Sequence, residues 1–206
     1  MRLTLPFLIL ATYAVAPGLY AQSKKGPPAN PAALQAPVDV ASYFVASGYM
    51  GDGELGTQYV KVTPVAGPMC RGGNAPCIKV SYQRGSQAWG GVYWQSPANN
   101  WGNSPGRQIE GATKITFWAA GDKGGEIVEF KAGGILDRPK TATSSWRPDS
   151  FEVTLGSVAL SKQWKQYEIP LAGKSLRNVV GGFAWVATAD ANPKSLTFYL
   201  DAIRYE

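Results

Sequence analysis

The chain has 206 residues, 45% of them hydrophobic and 17% charged, with a formal net charge of +6 and no histidine. That length suits one domain with appendages. The lack of histidine excludes Ser-His-Asp and Cys-His catalysis, zinc-protease motifs and histidine-based metal clusters. The basic residues are scattered (Lys61, Lys79, Lys114, Lys131, Lys162, Lys194), without the clustered face or arm that nucleic acid requires.

Residues 1–21, MRLTLPFLILATYAVAPGLYA, carry Arg2 and then an apolar run that Pro17 and Gly18 break before the small Ala21. This pattern predicts a secretory signal cleaved near Ala21, with an uncleaved membrane anchor as the competing reading. On the signal reading the protein is secreted, periplasmic or extracellular, with no membrane insertion after cleavage. Residues 22–38, QSKKGPPANPAALQAPV, are rich in Pro, Ala and Lys and read as an extended linker. The expected folded domain spans 39–206.

Short alternating runs follow, and each predicts a strand. The first is TQYVKVT (57–63). Cys70 and Cys77, the only cysteines, flank RGGNAP; in an exported chain they are expected to form a disulfide closing a tight loop. A metal pair is the alternative, but nothing completes a zinc site. CIKVSYQ (77–83) places Ile78, Val80 and Tyr82 on one face, and WGGVYWQ (89–95) places Val92 and Trp94 on one face with Trp89, Gly91, Tyr93 and Gln95 on the other. A polar loop, SPANNWGNSPG, then carries Trp101. TKITFWA (113–119), EIVEFKA (126–132), FEVTL (151–155), KQYEIPL (165–171), GGFAWVA (181–187) and SLTFYLDAIRYE (195–206) complete the set. Turn chemistry separates them: GDGELG, QRGSQ, AGDKGG, LAGKS and ADANPKS. Eight or more strands and no convincing helix predict an all-β sandwich or jelly roll.

Catalysis would have to rest on carboxylates alone. Glu126 and Glu129 alternate to opposite faces of one strand, and no motif pairs Glu110, Asp149 and Glu152. The chain is therefore expected not to be an enzyme. The outward rings of Trp89, Tyr93 and Trp101, with the amides of Gln95, Asn99 and Asn100, suit a sugar, which offers C–H faces to stack and hydroxyls to bond. Packing beneath a loop is the equal alternative for those three rings, whereas Trp94, Trp164 and Trp185 read as core. Trp118 opposes Ile115 and Phe117, and is expected to reach the second face beside Glu129 and Lys131. Those two charges serve as ligand contacts or as a solvated cross-strand pair. Trp146, in SSWRPDS, is expected to close one end of a groove.

Three segments carry a resemblance. TFYLDAIRYE is similar to the last strand of galactose-binding-like jelly rolls, with Ala202 where that pattern has a second Asp. QYEIPLAGKSLRNVVGGFAWVA resembles their penultimate strands, and WGGVYWQSPANNWG followed by GATKITFWAAGDKGGEIVEF resembles their middle. The likeness spans most of residues 42–206 and points to the jelly-roll carbohydrate-binding modules. It implies non-catalytic binding of a poly- or oligosaccharide. A structural calcium is also implied, held partly by Asp201 with Asp52 and Glu54 as possible partners, against a turn-capping role for Asp201. A cell-envelope domain whose aromatic loop docks on a protein, and a glycan-cleaving enzyme on the same fold, remain as the other readings.

Overall fold

The computed structural model describes residues 32–52, 56–137 and 146–206; the expected signal segment and Glu54 lie outside them. The strands in chain order are β1 (Leu34–Gln35), β2 (Val38–Asp39), β3 (Val45–Gly51), β4 (Val60–Val65), β5 (Cys77–Tyr82), β6 (Trp89–Gln95), β7 (Ile109–Glu110), β8 (Lys114–Gly121), β9 (Ile127–Gly133), β10 (Glu152–Ala159), β11 (Lys165–Pro170), β12 (Gly181–Thr188) and β13 (Leu196–Tyr205). Two single turns of helix, α1 (Val40–Tyr43) and α2 (Gly56–Tyr59), interrupt them.

Eleven of these strands form two antiparallel sheets, and β1 and β7 make a separate parallel pair. The front sheet runs β10-β9-β12-β6-β3 and the back sheet β11-β8-β13-β5-β4, with β2 beside β13. Strands consecutive in the chain repeatedly change sheet: β5 is at the back and β6 at the front, β8 back and β9 front, β12 front and β13 back. The result is a jelly-roll sandwich. Every run expected to be a strand contributes one, although TQYVKVT divides. Its first residues close α2, and pairing with β5 begins at Val60↔Tyr82. The half-buried Tyr59 ring turns over Gly85, whose missing Cβ makes room for it.

Alternation decides which side chains fill the space between the sheets. Val92 and Trp94 of β6, Phe130 of β9, and Phe183 and Trp185 of β12 face inward from the front. Phe117 of β8, Tyr167 of β11 and Phe198 of β13 face inward from the back. Their rings interlock across the layers: Phe117 lies 4.7 Å from Phe130 and 5.0 Å from Phe183, and Trp185 meets Phe198 edge-on at 5.3 Å. Each such fully buried ring stabilises the fold by about 1.5–3 kcal/mol.

The folded part starts earlier than the composition of residues 22–38 suggests. Leu34–Gln35 pairs in parallel with Ile109–Glu110, and Val38 pairs with Tyr205 at 2% exposure. Leu34 and Val38 carry apolar area into this Pro/Ala-rich stretch and dock it; only its last residues are described. The Cys70–Cys77 disulfide is present, and Tyr199 and Trp164 pack against it. Trp164 is pinned there by its indole N–H, which donates to the Met69 carbonyl at 3.1 Å.

Candidate functional site

The outer face of the front sheet gathers most of the singled-out side chains. Strand β6 sends Trp89, Gly91, Tyr93 and Gln95 outward, because their neighbours Val92 and Trp94 belong to the core. Across β12, Tyr93 aligns with Ala184 and then Lys131; Gly91 aligns with Val186 and then Glu129. On the other side Met50 of β3 aligns with Gly91, and Gly48 with Tyr93. Glu129 and Lys131 are thus two strands from the aromatic row, about 10 Å away at the usual strand spacing.

Both charges are partnered. Lys131 Nζ lies 3.0 Å from Glu152 Oε1. Thr154 Oγ1 donates to Glu129 Oε1 at 2.8 Å. Both partners come from β10, so the polar side of this face is a ladder between β9 and β10. Met50, Val186, Thr154 and Glu152 were not legible as site residues, because their place depends on which strands adjoin.

The floor is made of small residues. A Cβ on Gly181 would stand 2.7 Å from Tyr93 Cδ1, and one on Gly134 would stand 3.1 Å from its hydroxyl. The Tyr93 ring therefore lies down across β12 toward Gly134. Trp101 meets it edge-on, centroids 6.1 Å apart, and Ile135 and Val180 join the same cluster. Tyr93 is left 5% exposed, so it occupies the expected face without offering an open ring. Trp89 and Trp101 are half-buried indoles that keep part of their rings on this surface.

Gln95 also faces outward from β6, yet it is fully buried. Its Oε1 accepts from Ser47 Oγ at 3.0 Å, while Nε2 has no partner among the described residues. A Cβ on Gly48 would sit 2.7 Å from the Gln95 amide carbon, so this side chain lies down across the neighbouring β3 at its glycine. The amide is not presented to a ligand. Of its polar neighbours, Asn100 is buried too, its Nδ2 bonded to the Ser96 and Ser104 carbonyls, each at 2.9 Å, and it shapes the Trp101 loop.

Trp118 does not join this face. Its strand, β8, belongs to the back sheet, whereas β9 with Glu129 and Lys131 belongs to the front. Trp118 points out of the opposite side, beneath the Arg71 guanidinium at 4.7 Å. Asp201 is its cross-strand neighbour and binds Arg71 at 3.0 Å. Asp52 follows β3 and accepts the Ala88 N–H at 2.7 Å. These two carboxylates are engaged separately, one by a cation, and no group of three or more candidate metal ligands forms among the described residues. Calcium needs several converging oxygens, and Asp201 and Asp52, engaged apart from each other, do not converge on one.

Glu110 and Asp149 are engaged in structural bonds, whereas Glu126 accepts the Lys123 N–H on Oε1 at 2.8 Å and keeps Oε2 buried without a partner among the described residues. Glu110 receives the amides of Gln35 and Gln108, each at 2.7 Å. Asp149, 3% exposed, accepts from the N–H groups of Ile135 at 2.9 Å, Val180 at 2.6 Å and Gly181 at 3.2 Å. It ties together the two segments that seat Tyr93. Burial pushes its carboxyl up to about 7, against the pull of those three donors. Burial, followed by the nearby Asp149, Glu152 and Glu129 charges, also raises the Tyr93 phenol, which keeps it neutral.

At the Trp101 end, the Trp146 indole N–H donates to the Trp101 carbonyl at 3.3 Å. Gly102, with φ of +89°, leaves the space that the Trp146 ring occupies. Trp146 thus stands at one end of the face, as its loop position suggests.

Among solved structures, a family 30 carbohydrate-binding module superposes with a TM-score of 0.50 at 13% identity, covering 79% of this chain and 93% of that one. A family 11 carbohydrate-binding module from Clostridium thermocellum, solved with a beta-1,3-1,4-mixed-linked tetrasaccharide, gives a TM-score of 0.49 at 16% identity, covering 82% and 93%. No family model and no curated protein sequence matches the chain. The likeness to the family 30 module, at 13% identity, is one of fold: both are jelly-roll sandwiches.

Proposed function

We propose that the protein binds a poly- or oligosaccharide, without cleaving it, on the outer face of the front sheet. The observation that carries this reading is the juxtaposition on one face of half-buried Trp89 and Trp101 with the Lys131–Glu152 and Glu129–Thr154 pairs. Indole rings stack on sugar C–H faces, and the charged pairs supply donors and acceptors for hydroxyls. Met50 and Val186 form an apolar stretch over Gly91 between the aromatic row and the polar ladder. The carbohydrate-binding-module fold supports the same reading.

Binding without cleavage is supported by what the carboxylates do. Asp149 is consumed by three backbone N–H groups, Glu152 by Lys131 and Glu129 by Thr154. Export is supported by the character of residues 1–21 and by the disulfide, which belongs to an oxidising compartment.

The test is tryptophan fluorescence of the purified protein titrated with a panel of soluble neutral and acidic polysaccharides, beside an assay for released reducing ends. A saturable shift lost in Trp89→Ala, with no new reducing ends, supports the reading. No shift with any glycan in a folded sample refutes it. Capture of a protein partner unaffected by sugars would favour the docking role instead.

A further inference from the structure

Beyond Trp101 the front face runs into a second, chemically different cleft of ≈ 440 Å³, bordered by Trp146, Arg147, Ser150, Arg177, Asn178 and Gln108. That volume falls in the range of small-molecule sites, roughly 300–1,000 Å³. Two arginines open into it, and among the described residues no carboxylate lines it. Among the described residues neither Arg147 nor Arg177 forms an ion pair. Glu110, which receives the Gln108 amide, is also bonded by Gln35 and leaves the arginines alone.

The backbone around the cleft is held. Asn178 Nδ2 donates to the Pro148 carbonyl at 2.6 Å, and its Oδ1 accepts the Gly106 N–H at 2.8 Å. The Arg147 N–H donates to the Gly102 carbonyl at 2.6 Å. Ser150 Oγ bridges to the carbonyls of Ser175 and Asn178. Three separate segments are thereby fastened into one rim, and the Trp146 ring is seated on it by Gly102 and the Trp101 carbonyl. Among the described residues Arg177 spends only Nε, on Ser175 Oγ at 3.2 Å, which leaves its terminal donors for a bidentate partner.

We infer that this cleft is a subsite for the carboxylate of an acidic sugar residue. Arg147 and Arg177 take the carboxylate, and Trp146 stacks on the ring that bears it. The inference rests on the proposed saccharide binding and names its substrate class: a chain lying along the front face past Trp101 would place a uronate here. A planar carboxylate matches the arginine fork, and a neutral hexose would leave both guanidiniums without a counter-charge. The chain's net charge of +6 draws such polymers in without selecting among them.

The experiment titrates the purified protein with polygalacturonate, alginate and hyaluronan, each beside its methyl-esterified form, and with dextran sulfate as a plain polyanion. The expected result is that at least one acidic polymer binds about tenfold tighter than its own ester. The Arg147→Gln/Arg177→Gln double variant should erase that difference while leaving ester binding and the melting temperature unchanged. Equal binding of acid and ester, lost in Trp89→Ala, overturns the carboxylate subsite and keeps the saccharide face. Dextran sulfate binding as tightly as the best acidic polymer also overturns it, as unselective attraction. Binding of no polymer, acidic or neutral, overturns the saccharide reading itself.

Discussion

Trp101 closes over Tyr93 edge to face, at a centroid distance of 6.1 Å, and the contact joins a loop to a strand centre. Trp101→Ala should therefore act twice. It removes a half-buried ring, at a cost of about 2 kcal/mol, and it uncovers Tyr93. Urea unfolding reads the first effect and glycan titration the second. Trp101→Phe, which keeps a ring edge over Tyr93, should lose roughly half as much stability. Unchanged unfolding in Trp101→Ala would mean the loop contact contributes nothing to the fold.

Trp89 is placed differently. It lies opposite Thr188 on the outer face, half-buried and outside the core. Trp89→Ala should weaken saccharide binding about tenfold, roughly 1.4 kcal/mol, while shifting unfolding by less than about 1 kcal/mol. Calorimetric titration and thermal melting separate the two quantities.

The Lys131–Glu152 pair, at 3.0 Å with side chains 21% and 45% exposed, should matter little to stability. Partly exposed ion pairs contribute about 0.2–1 kcal/mol. Lys131→Met is expected to change unfolding within that range and to weaken binding severalfold. A large fall in stability with intact binding would assign the pair to the fold instead.

Asp149 gives the fold a pH dependence. Its carboxyl is pushed up to about 7 from an ordinary 3.8, so between those values the folded state holds the proton more tightly than the unfolded chain. Stability should fall as pH rises from about 4 to about 7 and then level off, by an amount on the order of a few kcal/mol. Asp149→Asn cannot ionise and should flatten this part of the profile. Urea midpoints in a buffer series provide the comparison.

Removing the disulfide with Cys70→Ala and Cys77→Ala frees a loop of sequence separation 7. The chain-entropy cost for so short a loop is about 2–3 kcal/mol, or roughly 5–10 °C in melting temperature. Saccharide binding should survive, because the loop leads into β5 of the back sheet, away from the front face.

Alternation is a local property, and what depends on it alone was legible: the inward Val92 and Trp94, the outward Trp89, and the strand centres from β5 onward except the two-residue β7. Sheet membership is not local. Trp118 and Glu129 sit in consecutive strands, but the chain crosses between sheets from β8 to β9, which sets them on opposite surfaces. Depth is not local either. Gln95 points outward as expected, but it lies buried across Gly48 of β3, whose sequence VASGYMG shows no alternation that would predict a strand. Asp149 resembles any loop carboxylate until three N–H groups from distant segments converge on it.

The pairing of Val38 with Tyr205 makes the chain's way into the sandwich and its way out next-door neighbours in the back layer. A label placed on either strand of this pair therefore reports on the back layer, on the opposite side of the sandwich from Trp89 and Lys131.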